Sequence, residues 1–246
     1  VNGATNVSAE TRERVQAAIA RLGYVPNPAA RSLAHGGQKR IALLHSNPSA
    51  AYLSEFLMGM LRATSDQMVL IVEHFEEGAS PQNVLARLQA HRADGVVLPP
   101  PLCDDGAIID ALVAAGLLVA QVATGQPHSS AAAVMIDDAA AARTMTEHLL
   151  SLGHRRIGFI EGAANQSASQ CRRQGFEAAM QAAGLAVPAD CLRTGDFTYR
   201  SGMIAAEQLL DSGVTAIFAS NDDMAAASVA AAHRRGLDVP GQVSIA

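Results

Sequence analysis

The sequence predicts an α/β protein of two doubly wound parallel-sheet lobes, preceded by a short helical segment. Short apolar runs alternate with amphipathic stretches from residue 41 to the last residue. Glycine stands just past five of those stretches, at Gly116, Gly153, Gly184, Gly213 and Gly236. A glycine there adopts the left-handed conformation that ends a helix without a Cβ penalty. Strand–helix alternation with such stops means parallel sheets covered by helices, and the number of units exceeds one ordinary doubly wound sheet.

The elements follow in order. Val7 to Tyr24 reads as an amphipathic helix, with Ser8 as N-cap, Val15, Ala18, Ile19 and Leu22 at helical spacing, and Gly23 as the stop. Asn27-Pro28 opens a second short segment, Ala29 to Ala34, with proline in its first turn. His35-Gly36-Gly37-Gln38 reads as a linker and puts a domain boundary near residue 38. Candidate strands are Ile41–His45, Met68–Phe75, Gly95–Leu98, Leu117–Val122, Ala133–Ile136, Ile157–Ile160, Ala216–Ala219 and Val243–Ala246. Candidate helices are Tyr52–Ser65, Pro81–His91, Ala107–Ala115, Ala139–Leu152, Ser169–Ala183, Ser201–Asp211 and Met224–Arg235.

Composition narrows the function. Apolar residues make up 49% of the 246 residues and charged ones 17%, which excludes a disordered tail or a coiled coil. No apolar run approaches a bilayer span, and residues 1–10 show no secretory signal pattern, so the expected compartment is the cytoplasm. Cys103, Cys171 and Cys191 are widely spaced, against a disulfide framework or a zinc site. Residues 1–40 hold six Arg/Lys against Glu10 and Glu13, whereas the remainder holds 12 basic against 21 acidic residues. A basic arm on an acidic body fits a nucleic-acid-binding head, and equally a solvated charged helix.

Enzyme chemistry finds no foothold. The nucleotide-binding, nucleophile-elbow and HExxH motifs are missing, and no cofactor or metal is expected. His154 follows a helix-ending glycine and reads as a surface or capping residue. The acid pairs Asp104-Asp105, Asp137-Asp138 and Asp222-Asp223 each precede a helix, where carboxylates cap free N–H groups. Acid/base catalysis is the competing reading of those pairs.

Val7-Ser8-Ala9-Glu10-Thr11-Arg12-Glu13-Arg14-Val15, followed by Gly23-Tyr24-Val25-Pro26-Asn27-Pro28-Ala29-Ala30-Arg31-Ser32-Leu33-Ala34, resembles the lac-repressor (LacI/GalR) family. So do Glu147 to Ile160, the run Arg172 to Phe176, and Ala219-Ser220-Asn221-Asp222-Asp223-Met224-Ala225. The resemblance implies periplasmic-binding-protein-like lobes at residues 38–136 and 137–246, after a remnant of an α-helical DNA-binding head at 1–37. That remnant would be the head's third helix and its hinge helix; the base-reading residues would lie before Val1. The final strand would lead into a turn beyond Ala246, and later elements would complete the N-terminal lobe.

The implied function is a ligand-responsive repressor. Asn27, Ala30, Arg31 and Leu33 are the implied DNA contacts, with Leu33 wedging a base step in the minor groove. A six-residue hinge is too short to be a stable helix alone, which suits folding on DNA. The expected partners are an operator, bound by the full-length protein only, a carbohydrate effector, and a second copy of the chain. The subunit contact is expected on helices Tyr52–Ser65 and Pro81–His91. Open parallel sheets bind ligands at the carboxyl ends of their strands. The candidate ligand residues are therefore Ser46, Tyr52, Gln121, Arg172, Phe197 and Asn221. Gln121 stands where some relatives carry Asp. Arg172 matches the family's pocket arginine, while its neighbour Arg173 is expected to face solvent. The alternative is a periplasmic-type sugar-binding protein, which shares the two-lobed core but not the segment 1–40.

Overall fold

The computed structural model describes residues 8–22, 38–47, 49–65, 67–76 and 79–246. Helix α1 (Ala9–Leu22) starts as expected at Ser8, whose Oγ accepts the Thr11 N–H at 3.3 Å. The expected hinge, with Asn27, Ala30, Arg31 and Leu33, lies outside the described residues.

The first lobe runs β1 (Lys39–His45), α2 (Ala50–Ala63), β2 (Met68–His74), α3 (Pro81–Ala90), β3 (Gly95–Leu98), α4 (Gly106–Ala114), β4 (Leu118–Val122) and β5 (Ala132–Val134). Its five strands are all parallel, in the order β2-β1-β3-β4-β5. The second lobe runs α5 (Asp138–Ser151), β6 (Ile157–Glu161), α6 (Ser167–Ala182), β7 (Leu192–Thr194), α7 (Tyr199–Asp211), β8 (Ala216–Ala219), α8 (Asp222–Arg234) and β9 (Ser244–Ile245). Its four strands are also parallel, in the order β7-β6-β8-β9. Strand β7 was not expected. It has three residues, with Arg193 at its centre, too short and too polar to show an apolar run.

The five expected helix-stop glycines all have positive φ, from +69° to +97°. Beyond four of them the next N–H closes onto the helix: Leu117 to Leu112, His154 to Leu149, Leu185 to Met180, Leu237 to Ala232. Helix α3 ends the same way without glycine. Arg92 takes φ +53°, and the Ala93 N–H reaches the Leu88 carbonyl.

Each lobe has its own core. In the first, Val84 and Leu88 of α3 and Ile108, Ile109 and Leu112 of α4 cover Ala42, Leu44, Val96 and Leu98. Helix α2 buries no residue completely, and its Met58 and Leu61 are exposed. In the second lobe, helices cover both sheet faces. On the α5/α6 side, Phe159 stacks on Phe176 with centroids 4.8 Å apart and meets Phe218 edge-on. On the other side, Leu209 of α7 and Ala231 of α8 pack against Ile160 and Ile217. Strand order reverses between β1 and β3 in one sheet and between β6 and β8 in the other. A doubly wound sheet opens a crevice at such a point, because adjacent connections leave to opposite faces.

Candidate functional site: the cleft between the lobes

A cavity of about 770 Å³ lies where the carboxyl ends of the two sheets meet. Every wall residue follows the carboxyl end of a strand. Ser46 comes after β1, Phe75 and Ala79 after β2, and Pro101, Leu102, Asp104, Asp105 and Gly106 after β3. The second lobe supplies Ala163, Asn165 and Gln166 after β6, and Asp196 after β7. The volume suits a ligand the size of a mono- or disaccharide.

Two hydrogen-bonded clasps join the lobes beside this cavity. Asp104 accepts the Ser167 backbone N–H at 2.7 Å and the Ser167 hydroxyl at 2.8 Å. The Thr124 hydroxyl donates to the same carboxylate at 2.7 Å, and the Gly125 N–H donates to Ser167 Oγ at 2.6 Å. Asp104 therefore caps the N-terminus of α6 across the cleft, not its own helix as expected. Asp105 fills that local role by accepting the Ile108 N–H. In the second clasp, the Ser49 hydroxyl donates to Asp223 at 2.7 Å while Ser49 also caps α2. Of the other acids, Asp137 caps α5, and Asn221 caps α8 ahead of Asp222 and Asp223. His154 bridges Thr215, just before β8, and Ser244, the first residue of β9.

The six sequence candidates separate into three groups. Ser46 lines the cavity directly. Arg172, Asn221 and Phe197 belong to the second lobe and are not among the residues that line it. The Arg172 guanidinium donates to Asp138 at 2.8 Å and to the Ser220 carbonyl. Asn221 accepts the Met224 N–H and donates to the Phe197 carbonyl at 3.0 Å. That bond holds Phe197 at φ +69°, a conformation an aromatic residue adopts only under constraint. The Phe197 ring lies over Gly162, where an added Cβ would sit 2.0 Å from Cζ.

Gln121 and Tyr52 do not line the cavity. Gln121 is fully buried, and its amide donates to the Cys103 carbonyl and accepts the His128 N–H. The strand end is where the sequence put it, but the side chain turns into the lobe. Tyr52 is half-buried and stacks on Phe56. Burial raises its hydroxyl pKa, Cys103 adds to the rise, and the positive charge of Arg172 opposes it. Burial likewise pushes the Cys103 thiol up to about 12, so it stays protonated and unreactive at neutral pH.

Arg173 also differs from expectation. It does not simply face solvent: it pairs with Glu177 one turn along α6, at 2.9 Å, and with Glu161 at the end of β6, at 3.2 Å.

Asp105, Asn165, Gln166 and Asp196 reach the cavity without having been singled out as ligand residues. The signal for Asp105 and Asp196 was present, since each follows a strand end. It was masked because Asp105 also makes an ideal helix cap and because β7 has no apolar run. Hydrogen bonds from Ser201 and Thr198 hold the Asp196 carboxyl below the usual carboxylate range, so it is an anion at neutral pH.

Asp104→Ala is expected to open the main clasp. Losing two charge-assisted bonds should quicken hydrogen exchange at the Ser167 amide at least about tenfold. An unchanged exchange rate would mean that the clasp does not hold the lobes.

Two sequence families match the chain. "Bacterial regulatory proteins, lacI family" matches residues 1–27, and "Periplasmic binding proteins and sugar binding domain of LacI family" matches residues 38–246. Among individual proteins, the transcriptional regulator CelR of Thermobifida fusca is 32% identical over 100% of this chain and 75% of its own length. Catabolite control protein A of Priestia megaterium is 29% identical with the same coverage. Among solved structures, a CelR–cellobiose complex superposes with a TM-score of 0.74 at 30% identity, over 99% of this chain and 75% of that one. A lac repressor dimer bound to operator and the anti-inducer ONPF also gives 0.74, at 25% identity, over 99% and 74%. The chain belongs to the LacI family of transcriptional regulators.

Proposed function

We propose that a carbohydrate bound in the cleft sets how the two lobes close, and that closure sets the affinity of the protein for an operator. The observation that carries this is the cavity at the facing strand ends, walled by both lobes. A ligand touching both walls differs in affinity between open and closed arrangements, which is all that coupling requires. The names of relatives support the ligand class, since one was solved with cellobiose. The match over residues 1–27 favours a regulator over a periplasmic transport module. On this reading residues 1–37 form the DNA-binding segment, and 38–136 and 137–246 the two lobes. The protein acts in the cytoplasm, where its DNA lies, and its role is regulatory instead of catalytic. Asn27, Ala30, Arg31 and Leu33 remain the proposed DNA contacts. The exposed apolar residues Met58 and Leu61 of α2 and Val72 of β2 suit a subunit interface, so the protein works as a dimer.

Gly106 offers a clean test. It opens α4 and lines the cavity, its φ is ordinary, and an added Cβ would meet no atom within 4 Å. Gly106→Phe should therefore leave the fold intact and fill the cleft. Calorimetry against mono- and disaccharides should find a carbohydrate that binds the natural protein and not the variant. Equal binding by both would place the ligand elsewhere.

A further inference from the structure

Resting on that carbohydrate reading, we infer that the cleft selects for effectors without negative charge: neutral sugars or amino sugars, and neither sugar phosphates nor sugar acids. Among the described residues, the charged ones on the cavity wall are acids, namely Asp104, Asp105 and Asp196. No arginine or lysine forms an ion pair with any of the three among the described residues.

Two devices a protein commonly uses to hold an anion are engaged here within the protein itself. A helix N-terminus attracts anions through its free N–H groups and its dipole. At the cleft, the N-terminus of α6 is already filled, because Ser167 gives both its N–H and its hydroxyl to Asp104. A guanidinium fork is the other common device. Arg172 is turned onto Asp138 and the Ser220 carbonyl, and Arg173 onto Glu161 and Glu177. What the cavity does offer is acceptors. Asp105 and Asp196 are exposed at its wall, and Asn165 and Gln166 stand beside them with amides that donate and accept. Carboxylates accept from pairs of sugar hydroxyls or from an ammonium group, and they repel phosphate. At the separations a cavity of this size allows, one unit of like charge costs about tenfold in affinity at a half-shielded site. Asp105 and Asp196 are thus specificity-determining residues, and Asp104 is a positioning residue that also fills the N-terminus of α6.

The test is a matched panel titrated calorimetrically into the whole protein at fixed low salt: glucose, cellobiose, glucosamine, glucose 6-phosphate, cellobionate and related neutral, amino, phosphorylated and acid forms. Binding confined to neutral and amino forms, with each phosphorylated or acid counterpart at least about tenfold weaker, is the expected result. Tighter binding of an anionic form than of its neutral counterpart would overturn the inference and leave the carbohydrate reading standing. If no carbohydrate of any charge bound, the carbohydrate reading itself would fall, and the inference with it. The variant Asp105→Asn/Asp196→Asn retains the capping and backbone-bonded oxygens. It should narrow the gap between neutral and anionic forms by about tenfold. An unchanged gap in a folded variant would show that these carboxylates do not set the selectivity.

Discussion

Arg172→Ala is expected to destabilise the second lobe by about 3 kcal/mol, because it strands a buried carboxylate. The Asp138 side chain is 5% exposed, and Arg172 Nε lies 2.8 Å from it. Removing the arginine leaves that charge without its partner and also frees the Ser220 carbonyl at the end of β8. Chemical denaturation followed by circular dichroism measures the loss. The double variant Arg172→Ala/Asp138→Ala should recover a large part of it, since the stranded charge is then gone. A single-variant loss under 1 kcal/mol, or no recovery in the pair, would contradict this account of Arg172. The consequence for function is direct. Arg172 also holds the Ser220 carbonyl next to Asn221, so loss of ligand binding in Arg172→Ala is not by itself proof of contact. Arg173→Ala is no inert control either, since it breaks two ion pairs.

Gly175→Ala should be comparably damaging to the same lobe. Helices α5 and α6 cross so closely there that an added Cβ would lie 2.1 Å from the Ala139 carbonyl oxygen and 3.0 Å from the Arg143 nitrogen. Both obstacles are backbone, so no side chain can swing away. The helices must separate, which disturbs the Phe159–Phe176–Phe218 packing beneath them. Overpacking of this kind costs about 3 kcal/mol, the upper end of the usual range, because both obstacles are backbone. Gly153→Ala is the comparison, since nothing lies within 4 Å of its Cβ position and only its positive φ resists substitution. It should cost about 1 kcal/mol. Equal losses from the two would show that α5 and α6 are not held at this spacing.

How far the sequence could be read depended on whether the information was local. The helix stops were legible because positive φ is a backbone demand that glycine meets without strain. Arg92 was not, because nothing in an arginine announces that it will take that conformation. The strand ends were legible from the apolar runs, and with them Ser46, which the backbone itself delivers to the crevice. Side-chain direction was not. Gln121 sits at the expected strand end yet turns inward to the Cys103 carbonyl, a choice made by its neighbours in the lobe. Asp104 was read as a local cap from its position before a helix. Its actual partner, Ser167, is 63 positions away on the other lobe, and only the packing of the lobes brings them together. The same packing places Asp105 and Asp196 on one cavity, so the acid character of the cleft was invisible along the chain.

On the proposed function, occupancy of the cleft controls DNA binding. This is tested most directly by fluorescence anisotropy of a labelled duplex, selected by the whole protein from a randomised palindromic pool. The titration is run at fixed salt with and without a carbohydrate that calorimetry shows to bind. The carbohydrate is expected to change the duplex Kd at least about tenfold, within the usual range of coupling energies, and Gly106→Phe is expected to bind the duplex but no longer respond. A duplex affinity that ignores every bound carbohydrate, or a response that survives in Gly106→Phe, would contradict the proposed function.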